Sequence, residues 1–169
     1  MERDSLDQTH LHRLKIVSGG QTGADRAALD WAIRAGVPHG GWCPRGRIAE
    51  DGVIAARYRL REAPSADYAV RTELNVIESD GTVIFSVGAI LSGGTLLTAE
   101  LAEKYQKPLL HLCQASDAGL PAVRLAKFIA DHNIRVLNVG GPKASQEPGV
   151  YDYVVQTLDL LPGLTPLQS

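Results

Sequence analysis

The chain has 169 residues, 44% of them hydrophobic and 21% charged, with a formal net charge of -2. That length can bury one substantial core but not two, and the near-neutral charge excludes a bulk electrostatic pull towards nucleic acid or an anionic membrane, so any anion site must be local. Cys43 and Cys113 stand far apart with no C-x-x-C, no secretory leader is legible and no apolar run has the length of a membrane span, which predicts a cytoplasmic protein with two reduced thiols.

Residues 1–12 (MERDSLDQTHLH) are polar and aperiodic and are expected to form a flexible tail carrying His10 and His12, ahead of one domain over 13–164. Leu14 to Val17 is short, apolar and bounded by glycine, as a buried parallel strand should be. Ala24, Ala27, Ala28, Trp31, Ala32 and Ala35 then recur at helical spacing, with Gly36 as the stop. His39 to Trp42 reads as a brief second strand. Cys43 to Asp67 is irregular, with Arg45, Arg47, Arg57, Arg59 and Arg61 set around Glu50 and Asp51; a loop of that length in a compact domain is usually functional. Ser65 or Asp67 can cap a helix running to about Ser79, Thr82 to Val87 is a strand, and Gly88 to Thr95 is a glycine-rich loop before a helix over Leu96 to Gln106. Leu109 to Leu112 is a strand, Pro121 to His132 a helix, Arg135 to Val139 a strand, and Pro148 to Leu161 a last helix. The alternation predicts an α/β fold, a Rossmann-like three-layer sandwich with a mostly parallel sheet, while the order of the strands stays open.

Such sheets bind ligands beyond the carboxyl ends of their strands. Three glycine loops occupy strand ends here: Ser18 to Gly23, Gly88 to Thr95 and Gly140 to Pro142. Glycine lets a backbone approach a ligand closely, and free amides at a helix start attract negative charge, so the three together predict a cradle for one anion. A Walker loop needs lysine and a hydroxyl where Ala24 and Asp25 stand, and the dinucleotide fingerprint has Ser18 in place of its first glycine, which argues against ATP hydrolysis and against NAD. Gln21 and Thr22 add donors, and Asp25 reads either as a ligand group or as an acid stabilising the helix start. His111 and Cys113 alternate on one strand without further converging ligands, so core packing is preferred to a metal site. Trp42 is the aromatic expected near enough to the cleft to stack on a ring.

The segments IVSGGQTGADRAALDWA, GGWCPRGRIAEDG, PSADYAVRTELNVIESDGTVIFS, SGGTLLTAE and LNVGGPKASQEPGVY, in that order over about Leu14 to Leu161, resemble the molybdenum cofactor carrier proteins. These are a branch of the Rossmann-like group that includes the lysine-decarboxylase-like, cytokinin-releasing enzymes. The resemblance implies a binding protein without turnover that holds molybdenum cofactor (molybdopterin), or its molybdate part, until an acceptor molybdoenzyme takes it, and it implies a homo-oligomer. The cofactor is a flat pterin with a phosphate at one end and an oxo-metal dithiolene at the other. Amide cradles suit the anionic ends, and Asp or Asn side chains suit the pterin edges. Carried over by position, Gly19, Gly20, Gln21, Thr22, Gly23 and Asp25 form the first cradle and Ser92, Gly93, Gly94 and Thr95 the second, with Ser86 at a strand end. Asn138, Gly140, Gly141, Lys143 and Ser145 form the closing motif, and Arg45 and Lys143 are rated above the other cations, Arg71 among them.

The alternative is an enzyme acting on a nucleoside monophosphate, or a nucleotide-sensing domain. Against the hydrolases' P-G-G-x-G-T-x-x-E, this chain has Ser92-Gly93-Gly94-Thr95 with Glu100 displaced, so the cradle survives and the catalytic acid is in doubt.

Overall fold

Five strands lie side by side as one parallel sheet in a computed structural model of the chain, which describes residues 13–117 and 119–163. The expected tail over 1–12 lies outside the described residues. The sheet strands are β1 (Lys15–Val17), β2 (His39–Gly40), β7 (Gly81–Ser86), β8 (Leu109–Cys113) and β9 (Val136–Gly140). Between β2 and β7 the chain makes four two-residue strands: β3 (Trp42–Cys43), β4 (Ile48–Ala49), β5 (Gly52–Val53) and β6 (Arg61–Glu62). The helices are α1 (Ala24–Ala35), α2 (Tyr68–Glu78), α3 (Gly93–Lys104), α4 (Pro121–Asp131) and α5 (Val150–Asp159). Strand order in the sheet is β2-β1-β9-β7-β8. The helices α1, α4 and α5 pack together on one face and α2 and α3 on the other, giving the three layers.

The last strand in sequence is therefore inserted in the middle of the sheet. Its register sets Val17 opposite Asn138 on one side and Thr82 opposite Asn138 on the other. The Asn138 Nδ2 donates to Thr82 Oγ1 at 3.2 Å, so the polar pair satisfies itself inside the apolar sheet. Because β1, β9 and β7 are neighbours, the loops that leave their carboxyl ends are neighbours too. Those are the three glycine loops.

Local chemistry explains the elements. The buried face of α1 carries Ala24, Ala27, Ala28 and Ala32, small enough for α1 to lie close to α5 and the sheet, with Trp31 buried among them, and Gly36 closes it in the left-handed conformation. At the start of α2 the Ala69 N–H donates to Asp67 Oδ1 at 2.9 Å, so of the two expected caps Asp67 is the one used. The helix α3 begins at Gly93, earlier than Leu96, so Gly93 and Gly94 form its first turn and not the end of a loop. Cys43 and Cys113 are both buried and unbridged.

The irregular stretch after β2 is a strap with its own small core of Leu29, Cys43, Ala49, Ile54 and Tyr58. Arg47 organises it by donating to the carbonyls of Ile54, Ala55, Tyr58 and Leu60 at 2.8 to 3.2 Å. Tyr58 and Tyr151 both donate their hydroxyls to Asp30, at 2.5 and 2.6 Å, which ties the strap to α1 and α5. Trp42 turns away from the expected stacking role: its Nε1 donates to Glu78 Oε2 at 2.8 Å and Arg61 lies over its ring at 4.0 Å.

The strap's other end is fastened to α2 by Asn75, only 3% exposed, whose Oδ1 accepts the Trp42 N–H at 2.8 Å and whose Nδ2 donates to the Trp42 carbonyl at 2.9 Å. Asn75→Ala strips the partners from both backbone groups of Trp42 and should cost about 2 kcal/mol, read as a lower urea midpoint at unchanged slope. Superimposable unfolding curves for the two proteins would show that the brace bears nothing.

Candidate functional site

At the carboxyl end of the sheet a cleft of about 140 Å³ is lined by Gly19 and Gln21 from the first glycine loop, Gly94 and Thr95 from the second, and Gly140 and Gly141 from the third. Asp25 and Asn138 also line it, and Lys143 stands on one side. The fourth wall is α2, which contributes Tyr68, Arg71, Thr72 and Asn75. By volume the cleft has room for on the order of ten waters, enough for an oxyanion and the near part of a larger group.

The other residues expected here lie around the cleft. Gly20 faces the strap, its carbonyl accepting from Arg26 at 3.0 and 3.3 Å. Thr22, Gly23 and Ser145 knit the first loop to the third and do not line the cleft: the Ala144 N–H donates to Thr22 Oγ1 at 3.1 Å and the Ala24 N–H to the Pro142 carbonyl at 3.2 Å. Ser92 borders a neighbouring hollow with Ile90, Leu91 and Pro142, and Gly93 lines neither. Ser86 is fully buried, its hydroxyl donating to the Gly88 carbonyl and paired with His111 Nε2, each at 2.7 Å, so it supports the loop from below.

Arg45 lies away from the cleft. Its Nη1 donates to the Pro64 carbonyl at 3.3 Å in the strap, and it does not line the cleft. The more buried cation lining the cleft is Arg71, whose side chain is 15% exposed and whose Nη1 lies 3.6 Å from Asp25 Oδ2. Its Nε is buried without a partner among the described residues. The guanidinium lies flat on Gly19: a β-carbon at that position would fall 2.2 Å from Nη1. Sequence reasoning undervalued Arg71 because a polar helix face is normally the wet one, whereas on α2 Thr72 and Asn75 are buried. The i, i+4 spacing of Arg71 and Asn75 was the legible signal.

Asp25 is both a helix-start acid and a cleft group. Burial pushes its carboxyl above the usual range, opposed by the Arg71 charge and by the amides of Gln21 and Gly19. The Gln21 N–H donates to Asp25 Oδ2 at 3.3 Å. The side-chain oxygen of Gln21 accepts the amides of Thr22 and Glu50 at 3.0 and 2.9 Å, which leaves its NH₂ for a guest.

Glu50, at the tip of the β4–β5 hairpin, is the clasp. Its carboxylate accepts from the Thr22 hydroxyl, from the Ser145 hydroxyl at 2.6 Å and from the Ser145 N–H at 3.2 Å. Those bonds, Ser145 first, hold its carboxyl below the usual range. Lys143 Nζ stands 4.0 Å away and Asp51 pairs with Arg26 at 2.9 Å. Since the carboxylate is the acceptor, the clasp should open as acid protonates it. Glu50→Ala should speed amide exchange at Ala144 and Ser145 by about tenfold or more, measured by hydrogen–deuterium exchange, with the β7 and β9 amides unchanged; equal rates at 144 and 145 would show that Glu50 fastens nothing.

Glu100 is exposed on α3 and does not line the cleft. Among the described residues no group of three or more His, Cys, Asp or Glu side chains is arranged to hold a metal ion, and no helix is long and apolar enough to cross a membrane.

A family model described as the circularly permutated YpsA SLOG family matches residues 16–161. The crystal structure of a protein from Syntrophus aciditrophicus SB, named "Putative molybdenum carrier protein", has a TM-score of 0.84 and 47% identity to this chain, covering 88% of this chain and 94% of that one. No curated protein matches.

Proposed function

We propose, for a chain that belongs to the circularly permutated YpsA SLOG family, that it binds and carries molybdenum cofactor or molybdate in the cleft between its three glycine loops. The observation that carries this reading is Arg71: a largely buried guanidinium, laid on Gly19 and opening on glycine-lined walls, with one N–H left without a partner. An anion in the cleft, or a water, would supply the missing acceptor. The name borne by the structural neighbour supports molybdenum as part of the guest's chemistry.

The residues fit one anionic end of that group. Arg71, Lys143, the Gln21 NH₂ and the amides of Gly94 and Thr95 at the start of α3 would face its oxygens, and the Asn138 side-chain oxygen would meet a donor group. The cleft is smaller than the roughly 300 Å³ or more that wholly encloses a drug-sized ligand, so a full pterin would extend past Tyr68 towards solvent. Bound there, the cofactor supplies oxygen-atom and electron-transfer chemistry to a later enzyme; the carrier only holds it and limits access of water and oxidant. Cytoplasmic location, self-association and delivery to an acceptor molybdoenzyme belong to the same proposal.

The hydrolase alternative needs a carboxylate at a ribosyl bond. Asp25 is the acid that lines the cleft, and it is engaged by Arg71, whereas Glu100 faces solvent. Purified protein is therefore expected to shield added cofactor from air oxidation, followed by pterin fluorescence, and to release no free base from nucleoside monophosphates by chromatography. Robust base release, or cofactor decay as fast as with an unrelated protein, overturns the carrier reading.

A further inference from the structure

A carboxylate on the floor of an anion cleft needs a reason. Asp25 is the acidic side chain that lines this cleft among the described residues, and its side chain is only 5% exposed. Its charged neighbours are Arg71 on α2 and Arg26 on its own helix, and the amides of Gly19 and Gln21 complete its surroundings. Lys143, from the loop after β9, and Tyr68, from α2, line the same space. Arg71 stands 3.6 Å from the carboxylate, beyond hydrogen-bond distance, and its Nε has no partner. The guanidinium is thus shared between the carboxylate and whatever enters.

Charge then decides. Lys143 stands 4.0 Å from Glu50 and Arg26 pairs with Asp51, so Arg71 set against Asp25 leaves the cleft close to neutral, and an incoming dianion would place two neighbouring anions in a poorly solvated space. Two such groups do not both stay fully ionised; one of them takes a proton.

We infer that oxyanion binding in this cleft is proton-coupled, with one proton held in an O–H···O hydrogen bond between Asp25 and the guest. A tetraoxo dianion without a proton of its own draws one from solvent, which sits on the Asp25 carboxyl and is donated to an oxyanion oxygen. A phosphate monoanion brings its own and donates it to the Asp25 carboxylate. No bond within the guest forms or breaks. Burial, which already favours the protonated carboxyl, readies Asp25 for this role. The consequence is a carrier that grips its anion at neutral pH and loosens as the solution turns alkaline. The inference rests on the oxyanion reading given under Proposed function and adds its regulation.

Isothermal titration of the full chain with sodium molybdate, at neutral pH in buffers of different ionisation enthalpy, counts the protons. About one proton taken up per anion is expected, with affinity falling about tenfold per pH unit above neutrality. Asp25→Asn, whose NH₂ imitates the protonated carboxyl as a donor, is expected to take up none and to bind almost independently of pH. The wild-type buffer series needs no variant, so a folding defect in Asp25→Asn cannot hide the answer. Heats identical in every buffer, with molybdate bound, overturn the coupling alone. No binding of molybdate or of inorganic phosphate overturns the oxyanion reading as well.

Discussion

Arg71→Ala is expected to abolish detectable oxyanion binding and to destabilise the protein by about 3 kcal/mol at neutral pH, a fall in Tm of roughly 6 to 12 °C. Both effects come from the same geometry. The guanidinium is the nearest counter-charge to Asp25, and its removal strands a carboxylate whose side chain is 5% exposed. Asp25 already sits above the ordinary carboxylate range because of burial, and without Arg71 it must rise further. A group whose folded value is raised binds its proton more tightly in the folded than in the unfolded state, so stability falls as pH rises from the unfolded value, near 3.8, through the folded one. The penalty of Arg71→Ala should therefore grow as pH rises and shrink in acid, where Asp25 is neutral in both states.

Denaturant titrations of wild type and variant at acid and neutral pH check this sign. An equal penalty at both would mean that the loss is packing of the arginine stem and not the stranded charge. Replacing the pair together, Arg71→Met with Asp25→Leu, should recover most of the stability, since well-packed apolar residues commonly match a buried ion pair. It should not recover binding. Wild-type affinity for molybdate in the double variant would remove Arg71 from the site.

The contrast between Arg71 and Arg45 shows where sequence legibility ended. The strands and helices were readable because apolar runs of four to six residues and alanine-rich helical spacing each answer to one periodicity, and glycine marks their ends. The three loops were readable as strand-end loops for the same reason. Their convergence was not, because it depends on β9 entering between β1 and β7, and local patterns are blind to strand order. Once that order is set, the loops of Gly19, Gly94 and Gly141 come to line one cleft.

Individual side chains were harder to place. Arg45 and Arg47 share a stretch of similar text, yet Arg47 is consumed by four backbone carbonyls and Arg45 by Pro64, while Arg71 on an ordinary-looking helix faces the cleft. A cation's role depends on what the fold sets opposite it, and composition carries no record of that. Glu50 illustrates the same limit from the acid side: it reads as one half of an acidic pair among arginines, and the fold makes it the clasp between two loops distant in sequence.

Gly23→Ala carries the second large effect, and it tests whether the loops are held as a unit. Gly23 has φ +79°, a conformation that costs an alanine on the order of 1 to 3 kcal/mol. An added β-carbon would also fall 2.4 Å from the Pro142 carbonyl oxygen and 2.8 Å from the Ala144 nitrogen. Neither atom can give way freely, because Pro142 O accepts the Ala24 amide and Ala144 N donates to Thr22. Relief requires the first and third loops to part, breaking those bonds and loosening the clasp at Glu50. The expected sum is about 4 kcal/mol, or roughly 8 to 16 °C in Tm, with molybdate affinity lost as Gly19 draws away from Gly140 and Gly141. Gly36→Ala is the milder comparison: its φ of +70° and ψ of 24° are the left-handed region an alanine can enter, unlike the ψ of -127° at Gly23, and nothing lies within 4 Å of the added carbon. That variant should lose only about 1 kcal/mol and bind normally. If calorimetric scans put the two variants at the same Tm and both still take up molybdate, the backbone contact between the loops is not what holds the cleft in shape.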